Sequence, residues 1–174
     1  MLAVPSAAAR PASTGYYTEA GLGGAAFLGQ AASYARPGLA FELRAGRDLT
    51  SWFSLGAHFA ATTHEATVPP PPEGEYVQLY TMAADARLGV SVGRFALLAE
   101  GGVGIGYISS NVLERVDILE PGEHISLAVR GGAGIEYQLQ NRHFAAGLAG
   151  DWLMMPGFAS LQGISARLYL RYTY

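Results

Sequence analysis

Residues 163–174 read GISARLYLRYTY and alternate between two kinds of side chain without interruption. One set consists of Ile164, Ala166, Leu168, Leu170, Tyr172 and Tyr174. The other set consists of Ser165, Arg167, Tyr169, Arg171 and Thr173. Alternation with a period of two places the two sets on opposite sides of a strand. The stretch therefore predicts a β-strand with one apolar face and one face that carries two arginines.

The direction of the apolar face distinguishes two kinds of β protein. In a soluble sandwich the apolar face points into the core and the arginines into water. In a membrane barrel the apolar face meets lipid and the arginines point into the lumen. One strand is compatible with both kinds of protein, and the other strands distinguish them.

The composition favours an apolar β protein over a bundle of membrane helices. Half of the 174 residues are hydrophobic and 14% are charged. No uninterrupted apolar run approaches the roughly 18 residues that a membrane helix needs. The absence of cysteine excludes disulfides and thiolate metal sites. The net charge of −3 provides no basic surface, so we expect no nucleic-acid partner.

Seven further segments show the same alternation, which predicts eight strands in all. Their limits are 16–28, 38–46, 52–62, 76–88, 95–107, 124–138, 143–154 and 163–174. Tight turns are predicted at Gly46-Arg47-Asp48, around Ser91 and Gly93, and at Gln140-Asn141-Arg142. Residues 64–75, with prolines at 69–72, and residues 109–123 form long connections. Short turns at one end and longer loops at the other are typical of an eight-stranded antiparallel up-and-down transmembrane β-barrel.

The outward aromatic residues are sorted by height, which supports the membrane interpretation. Those near the end that holds the turns are Tyr16, Phe53, Phe95, Tyr137, Phe144, Tyr172 and Tyr174. Those near the loops are Phe59, Tyr80, Tyr107 and Trp152. Two aromatic girdles around an aliphatic band are what a barrel shows in a bilayer. The alternative fold is a soluble eight-stranded binding barrel of the lipocalin kind, which would need apolar residues inside and its charges outside.

The segment 15–174 resembles the small eight-stranded outer-membrane barrels of the OmpA transmembrane-domain or OmpX type. The last strand is similar to the carboxyl-terminal signature of such barrels, carried here by Leu168, Leu170, Tyr172 and Tyr174. The resemblance implies a bacterial outer-membrane location, contact with lipid and lipopolysaccharide, and insertion by the barrel-assembly machinery. Residues 1–14, with alanines at 7–9, are either the remnant of a signal peptide or a disordered end.

The face that would point inward carries most of the charge. Its charged members are Glu19, Glu42, Arg44, Asp85, Arg87, Glu100, Arg130, Glu136, Asp151, Arg167 and Arg171. An eight-stranded barrel leaves room inside only for side chains. Unpaired ions there would cost several kcal/mol, so we expect a plug of ion pairs that closes the barrel. A proton or ion path through the same residues is the alternative.

His124 and Ser126 form an H-x-S pair of the kind found in small barrels that deacylate lipid A. Those barrels carry a glutamate about a dozen residues later, and Glu136 follows Ser126 by ten residues. A strand rises about 3.3 Å per residue, so Glu136 would lie roughly 33 Å along the same strand. A catalytic triad needs all three groups within hydrogen-bond reach. The spacing therefore argues against an active site, and no catalytic residue, cofactor or metal is predicted.

The loop of residues 111–120 is unusually apolar for an exposed connection. Its apolar residues are Val112, Leu113, Val116, Ile118 and Leu119. Either strands five and six continue past the membrane as a hairpin, or these residues form a docking surface for another envelope protein. Acidic residues in this loop and in the proline loop predict an acidic outer rim.

The leading functional interpretation is a non-enzymatic structural or interaction barrel whose loops meet partners. An envelope-spanning assembly such as a gliding motility machine is one setting in which such barrels serve. The alternatives are a lipid A-modifying outer-membrane enzyme, which would rest on His124 and Ser126, and a narrow ion or solute channel.

Overall fold

The computed structural model describes residues 15–67, 75–109, 112–120, 122–141 and 143–174. The predictions for residues 1–14 and for the prolines at 69–72 lie outside these ranges, as do Pro121, Arg142 and the side chain of Val112. Eight strands are present: β1 (Tyr16–Phe27), β2 (Gly38–Asp48), β3 (Phe53–Glu65), β4 (Tyr76–Val92), β5 (Phe95–Ile108), β6 (Ile125–Gln138), β7 (Phe144–Met155) and β8 (Leu161–Thr173).

Each strand pairs antiparallel with the next one, and the sheet closes on itself. The closing seam joins β1 to β8 in a register that runs from Tyr17 opposite Thr173 to Phe27 opposite Gly163. Closure satisfies the backbone groups of every strand edge, which a bilayer requires because its core offers no water. The predicted fold class, an eight-stranded antiparallel up-and-down barrel, is confirmed.

The barrel is polar inside and apolar outside. On β8 the inward residues Arg167 and Arg171 are 4% and 2% exposed, whereas the outward Leu168 is 68% exposed. The same alternation of buried and exposed residues recurs along the other strands. This inside-out distribution is opposite to that of a soluble binding barrel. A broad belt of Leu, Val, Ile and Ala therefore faces the lipid.

The two ends of the barrel differ in their connections. The turn end carries Gly15, Tyr174 and the connections 49–52, 93–94 and 139–143. The loop end carries the connections 28–37, 66–75, 109–124 and 156–160. At the tip between β4 and β5, Gly93 has a φ of +62°, a conformation that glycine adopts without steric cost. Within the described residues, no helix is long and apolar enough to cross a membrane.

Two of the predicted turns begin later in the chain than expected. Asp48 belongs to β2, because its backbone N–H donates to the carbonyl of Gly15 at 2.8 Å. Ser91 belongs to β4, which continues to Val92. The strands at the turn end are thus longer than the alternation predicts. The extension of β2 turns the Asp48 side chain into the lumen.

Candidate functional site in the barrel lumen

Glu100 on β5 is the centre of the charged interior. Its carboxylate accepts hydrogen bonds from the guanidinium groups of Arg44, Arg87, Arg130 and Arg167. The Nη2 atoms of Arg167 and Arg130 lie 2.7 and 3.0 Å from Oε1, and Nε of Arg87 lies 3.1 Å from Oε2. The four arginines come from β8, β6, β4 and β2. One carboxylate therefore joins five of the eight strands across the lumen.

A second group of charges lies nearer the turn end, around Arg171. The Nη2 atom of Arg171 is 2.5 Å from Oδ2 of Asp48, and its Nη1 atom is 3.4 Å from Oε1 of Glu19. Glu19 also accepts a bidentate pair of hydrogen bonds from Arg87. The guanidinium carbon of Arg171 lies 3.9 Å from the centre of the Tyr17 ring, as in a cation–π contact. The face of the Arg171 guanidinium thus lies on Tyr17, and its N–H groups contact Asp48 and Glu19.

Two inward glycines make room for Tyr17. A Cβ added to Gly46 or Gly56 would lie 2.6 or 2.8 Å from the Tyr17 hydroxyl. The ring therefore crosses from β1 to the backbone of β2 and β3. A side chain at either position would displace Tyr17 from Arg171.

A third group of charges lies nearer the loop end. Asp151 accepts hydrogen bonds from Arg130, at 2.6 Å, and from Arg167. Glu42 approaches Arg44, Arg130 and Arg167 at 3.2, 3.4 and 3.3 Å. The three groups are continuous, because Arg44, Arg130 and Arg167 join the third group to Glu100. Arg87 joins Glu100 to Glu19 in the second group.

The eleven charged residues singled out in the sequence all face the lumen, and the structure adds Asp48 and His58 to them. The Nδ1 atom of His58 lies 3.0 Å from both carboxylate oxygens of Asp85. Glu136 accepts a hydrogen bond from the Tyr169 hydroxyl at 3.2 Å and lies 4.0 Å from Arg171. In the described residues, the inward set comprises seven carboxylates and five arginines. The carboxylates are Glu19, Glu42, Asp48, Asp85, Glu100, Glu136 and Asp151.

An apolar lid closes the lumen at the loop end. It combines inward residues at the tops of the strands with residues from the connections. Its members are Phe27, Ala31, Ala35, Ala66, Val77, Leu79, Ile108, Leu113, Ile118, Leu119, Ala128, Met155, Phe158 and Leu161. His64 fastens the lid to the wall, since its ring stacks on Phe27 at 4.3 Å and its Nδ1 atom lies 3.0 Å from the carbonyl oxygen of Arg36.

The structure of the loop at 111–120 differs from both predictions, the continued hairpin and the exposed docking surface. The loop forms a short 3₁₀ helix, Val112–Val116, and not a continued hairpin. Leu113, Ile118 and Leu119 are buried under it, at 0, 5 and 2% exposure, and Val116 packs against the same cluster. These side chains cover the barrel mouth and are not an exposed docking surface. The hydrophobic effect explains the change, because the mouth supplies the apolar partners that an isolated hairpin would lack.

The H-x-S pair is not assembled into a triad. The Ser126 hydroxyl donates to the carbonyl of Leu127 and accepts from the backbone N–H of Gly157, both at 3.0 Å. The Nδ1 atom of His124 lies 3.1 Å from the carbonyl oxygen of Ile108. Glu136 lies at the opposite end of β6, where its partners are Tyr169 and Arg171. Glu136 is therefore remote from His124 and Ser126, and Ser126 fixes the loop after β7.

Most of the aromatic residues assigned to the girdles lie toward the ends of their strands, whereas Phe59 lies in the middle of β3. At the turn end, Phe95 contacts Tyr137 and Tyr172 contacts Phe144, with ring centres 5.0 and 4.9 Å apart. Tyr174 meets Tyr172 edge to face at 4.9 Å. A row of rings crosses three strands, from Phe59 in the middle of β3 through Tyr80 to Tyr107 near the loop end of β5. Tyr16 and Phe53 at the turn end and Trp152 near the loop end complete the set.

No cluster of three or more side chains suited to a metal ion occurs in the ranges that the structure covers. The charged interior is instead a network of ion pairs, in which Arg44 Nε, 3.2 Å from Asp85, has no hydrogen-bond partner in the described residues. Removal of one partner from such a pair costs about 3–5 kcal/mol, because it leaves an uncompensated buried charge. The middle of the lumen is therefore occupied by buried, paired charges.

Comparison with solved structures finds other small barrels. Neisserial surface protein A matches with a TM-score of 0.68 and 11% identity, over 91% of this chain and 97% of that one. Ail, the attachment invasion locus protein of Yersinia pestis, matches with a TM-score of 0.60 and 13% identity. This match covers 93% of this chain and 100% of Ail. The outer-membrane enzyme PagL matches with a TM-score of 0.50 and 17% identity. This match covers 91% of this chain and 99% of PagL. At these identities the matches show the fold alone. A search of curated proteins found no match.

Sequence comparison with protein families gives a more specific result. The model of the outer membrane protein beta-barrel domain matches residues 1–152, which include β1 to β6 and most of β7. The match agrees with the closed barrel, its apolar outer belt and its charged lumen. The chain thus belongs to the outer membrane protein beta-barrel domain family, and it is a protein of the bacterial outer membrane.

Proposed function

We propose that this barrel is a non-enzymatic, solute-tight component of the outer membrane that acts through its extracellular loops. The observation that carries the proposal is that the lumen is filled at two levels. The ion pairs around Glu100 occupy its middle, and the apolar lid that includes Leu113 and Phe158 covers its mouth. Neither level leaves an open path of the width that a solute channel needs.

The extracellular surface is built for contact more than for chemistry. Two ion pairs stiffen the loops: Arg36 with Glu65 at 2.9 Å, and Arg115 with Glu75 at 3.2 Å. The second pair joins the connection 66–75 to the connection 109–124 across the mouth. With the lid below them, the loops present a supported surface to a partner in the envelope. An envelope-spanning complex, of which a gliding motility machine is one example, is the setting that we propose.

The lipid-facing belt and the last strand complete the proposal. Outward leucines such as Leu22, Leu97 and Leu168 are 65–69% exposed on the barrel surface and would contact lipid and lipopolysaccharide. The barrel-assembly machinery would recognise the outward residues of β8, namely Leu168, Leu170, Tyr172 and Tyr174. The neighbours differ in activity, since PagL is an enzyme on the same fold. Function must therefore be argued from the residues of this chain.

Planar-bilayer recording tests the closed lumen. Refolded protein should insert and show no stable conductance above the bilayer background. A large, long-lived conductance would replace the proposal with a channel. The enzyme alternative is tested separately by mass spectrometry of lipid A from cells that express the wild type or His124→Ala. Identical lipid A in both strains is expected, and deacylation that is lost in the variant would make the barrel an enzyme.

A further inference from the structure

Two arginines at the turn end of the barrel have no acidic partner. The structure describes nine of the eleven arginines, and seven of these form ion pairs: the five of the lumen, together with Arg36 and Arg115 of the loops. The other two, Arg47 on β2 and Arg94 in the connection 93–94, are exposed. Neither guanidinium makes an ion pair or a hydrogen bond to any residue that the structure describes. The unpaired positive charge of the described chain therefore lies at one end of the barrel.

The acidic side chains at the turn end do not compensate these two arginines, because they lie inside the barrel. Glu19, Asp48 and Glu136 are 6, 5 and 4% exposed, and their partners are residues of the lumen. At the loop end the described residues show the opposite balance, with two arginines and six acidic side chains. These acidic residues are Glu65, Glu75, Glu114, Asp117, Glu120 and Glu123. The outer surface is thus basic at the turn end and acidic at the loop end.

Arg47 lies within the aromatic girdle of the turn end. It pairs across the backbone ladders with the outward residues Tyr16 and Leu55, and its guanidinium carbon is 5.3 Å from the centre of the Tyr16 ring. Trp52, in the same β2–β3 hairpin, is 58% exposed and contacts the ring of Phe53 at 5.8 Å. Aromatic girdles lie at the depth of the lipid headgroups. The stem of Arg47 can therefore lie along apolar surface while its charge meets the headgroups.

The charge of this rim decides which lipid it favours. A guanidinium donates two parallel hydrogen bonds to phosphate oxygens, and these charge-assisted bonds are stronger than neutral ones. An anionic phospholipid presents its phosphate without a compensating cation, whereas a zwitterionic one carries its own positive group. The short turns of outer-membrane barrels face the periplasm, so this rim meets the periplasmic leaflet.

We propose that the turn end of the barrel selectively binds anionic phospholipid, with the headgroup phosphate held by Arg47 beside Tyr16. Arg94, at the tip of the next turn, adds positive charge to the same rim. The leucines of the outer belt contact any lipid chain, whereas this rim selects lipids by their headgroup. The selectivity depends on the outer surface alone, so it is independent of whether the lumen conducts.

The two tryptophans of the chain allow a direct test, because they lie at opposite ends of the barrel. Trp152→Phe leaves only Trp52, near the proposed site, and Trp52→Phe leaves only Trp152, near the loops. Each full-length variant is refolded into phosphatidylcholine vesicles that contain a small fraction of dibrominated phosphatidylglycerol or dibrominated phosphatidylcholine. Bromine quenches tryptophan fluorescence on contact, so quenching reports which lipid lies beside the ring.

At low salt, phosphatidylglycerol should associate beside Trp52 about fivefold more strongly than phosphatidylcholine does, as expected for one basic side chain at a membrane surface. The preference should weaken at high ionic strength. Beside Trp152 the two lipids should quench equally. Equal quenching of Trp52 by the two lipids, or the same preference for phosphatidylglycerol at both tryptophans, would overturn the proposal.

Substitutions in the Trp152→Phe background locate the site. Arg47→Gln should lower the preference to about twofold or less, because only Arg94 then remains. Arg47→Lys keeps the positive charge and should retain most of the preference. Arg36→Gln is the matched control, because it also removes an exposed arginine, but one that is paired with Glu65 at the loop end. An undiminished preference in Arg47→Gln, or an equal loss in Arg36→Gln, would contradict the assigned site.

Discussion

Arg171 donates a hydrogen bond to Asp48, with 2.5 Å between Nη2 and Oδ2, and thereby ties the last strand to the second strand across the first. The two residues are 123 positions apart in the chain. Arg171 also contacts Glu19 on β1, so one side chain braces both sides of the closing seam. The seam is therefore held by side chains as well as by the backbone ladder.

Arg171→Ala should destabilise the refolded barrel by about 3–5 kcal/mol, because it leaves Asp48 and Glu19 with less compensation in a buried site. The midpoint of urea unfolding in detergent micelles measures the effect. Arg47→Ala is the control, since Arg47 faces outward and lies 5.3 Å from the ring of Tyr16. A midpoint for Arg171→Ala as high as that of the control would show that the brace contributes nothing.

Glu100→Gln should be at least as damaging as Arg171→Ala. An amide presents one acceptor oxygen to four guanidinium groups that the carboxylate now binds. The NH₂ group of the glutamine would also direct its N–H donors at the N–H donors of the guanidinium groups. We expect a loss of about 3–5 kcal/mol in the free energy of unfolding. Glu65→Gln changes the same chemical group in an exposed ion pair and should cost about 0–1 kcal/mol. Similar urea midpoints for the two variants would rule out Glu100 as the centre of the network.

Phe158→Ala should loosen the lid and leave the barrel wall intact. Phe158 is fully buried, and the residues after it, Ala159 and Ser160, have positive φ values of 41° and 57°. A strained backbone of this kind persists only where surrounding contacts hold it. We expect amide hydrogen exchange in residues 112–120 and 156–161 to rise by about tenfold or more. Strand amides near Glu100 should exchange as in the wild type.

Leu127→Ala is the matched control for the lid, because Leu127 is an outward residue that is 51% exposed. This substitution should leave amide hydrogen exchange in residues 112–120 and 156–161 unchanged. If Phe158→Ala also leaves loop exchange unchanged, the lid does not depend on that ring.

Tyr174→Ala should lower the amount of protein in the outer membrane of cells more than it lowers refolding in vitro. The Tyr174 ring is 63% exposed and contacts Tyr172, and its backbone N–H donates to the carbonyl of Tyr16 in either variant. The loss of ring burial costs about 2–3 kcal/mol at most, which a closed barrel tolerates. Quantitative blotting of outer-membrane fractions, compared with refolding yield in detergent, separates the two effects. An equal decrease in outer-membrane level and in refolding yield would contradict a role of β8 in assembly.

Alternation along the strands was sufficient to predict the closed eight-stranded barrel. A period of two assigns each side chain of a strand to one face of the sheet. The same signal fails at strand ends, where Asp48 looks like part of a turn and is in fact an inward partner of Arg171. His58 carries no charge pattern of its own, and its pairing with Asp85 follows only from the register of β3 and β4.

The lid could not be predicted by the same means. Leu113, Ile118 and Leu119 have no strand or helix period, and nothing local states what they pack against. Their partners, such as Phe27 and Val77, come from strands far away in the sequence. Burial of a loop depends on the shape of the completed mouth, which only the closed barrel supplies.

The arginine contacts across the lumen bear on how the protein unfolds. Arg167 on β8 reaches Glu42 on β2 and Glu100 on β5, and Arg44 on β2 reaches the same Glu100. None of these contacts joins neighbouring strands, so none forms while the sheet is still open. A barrel with one detached strand would keep the desolvated ions and lose their partners. The unpaired buried ions thus raise the free energy of partly open states. The barrel should therefore lose its structure in a single cooperative transition.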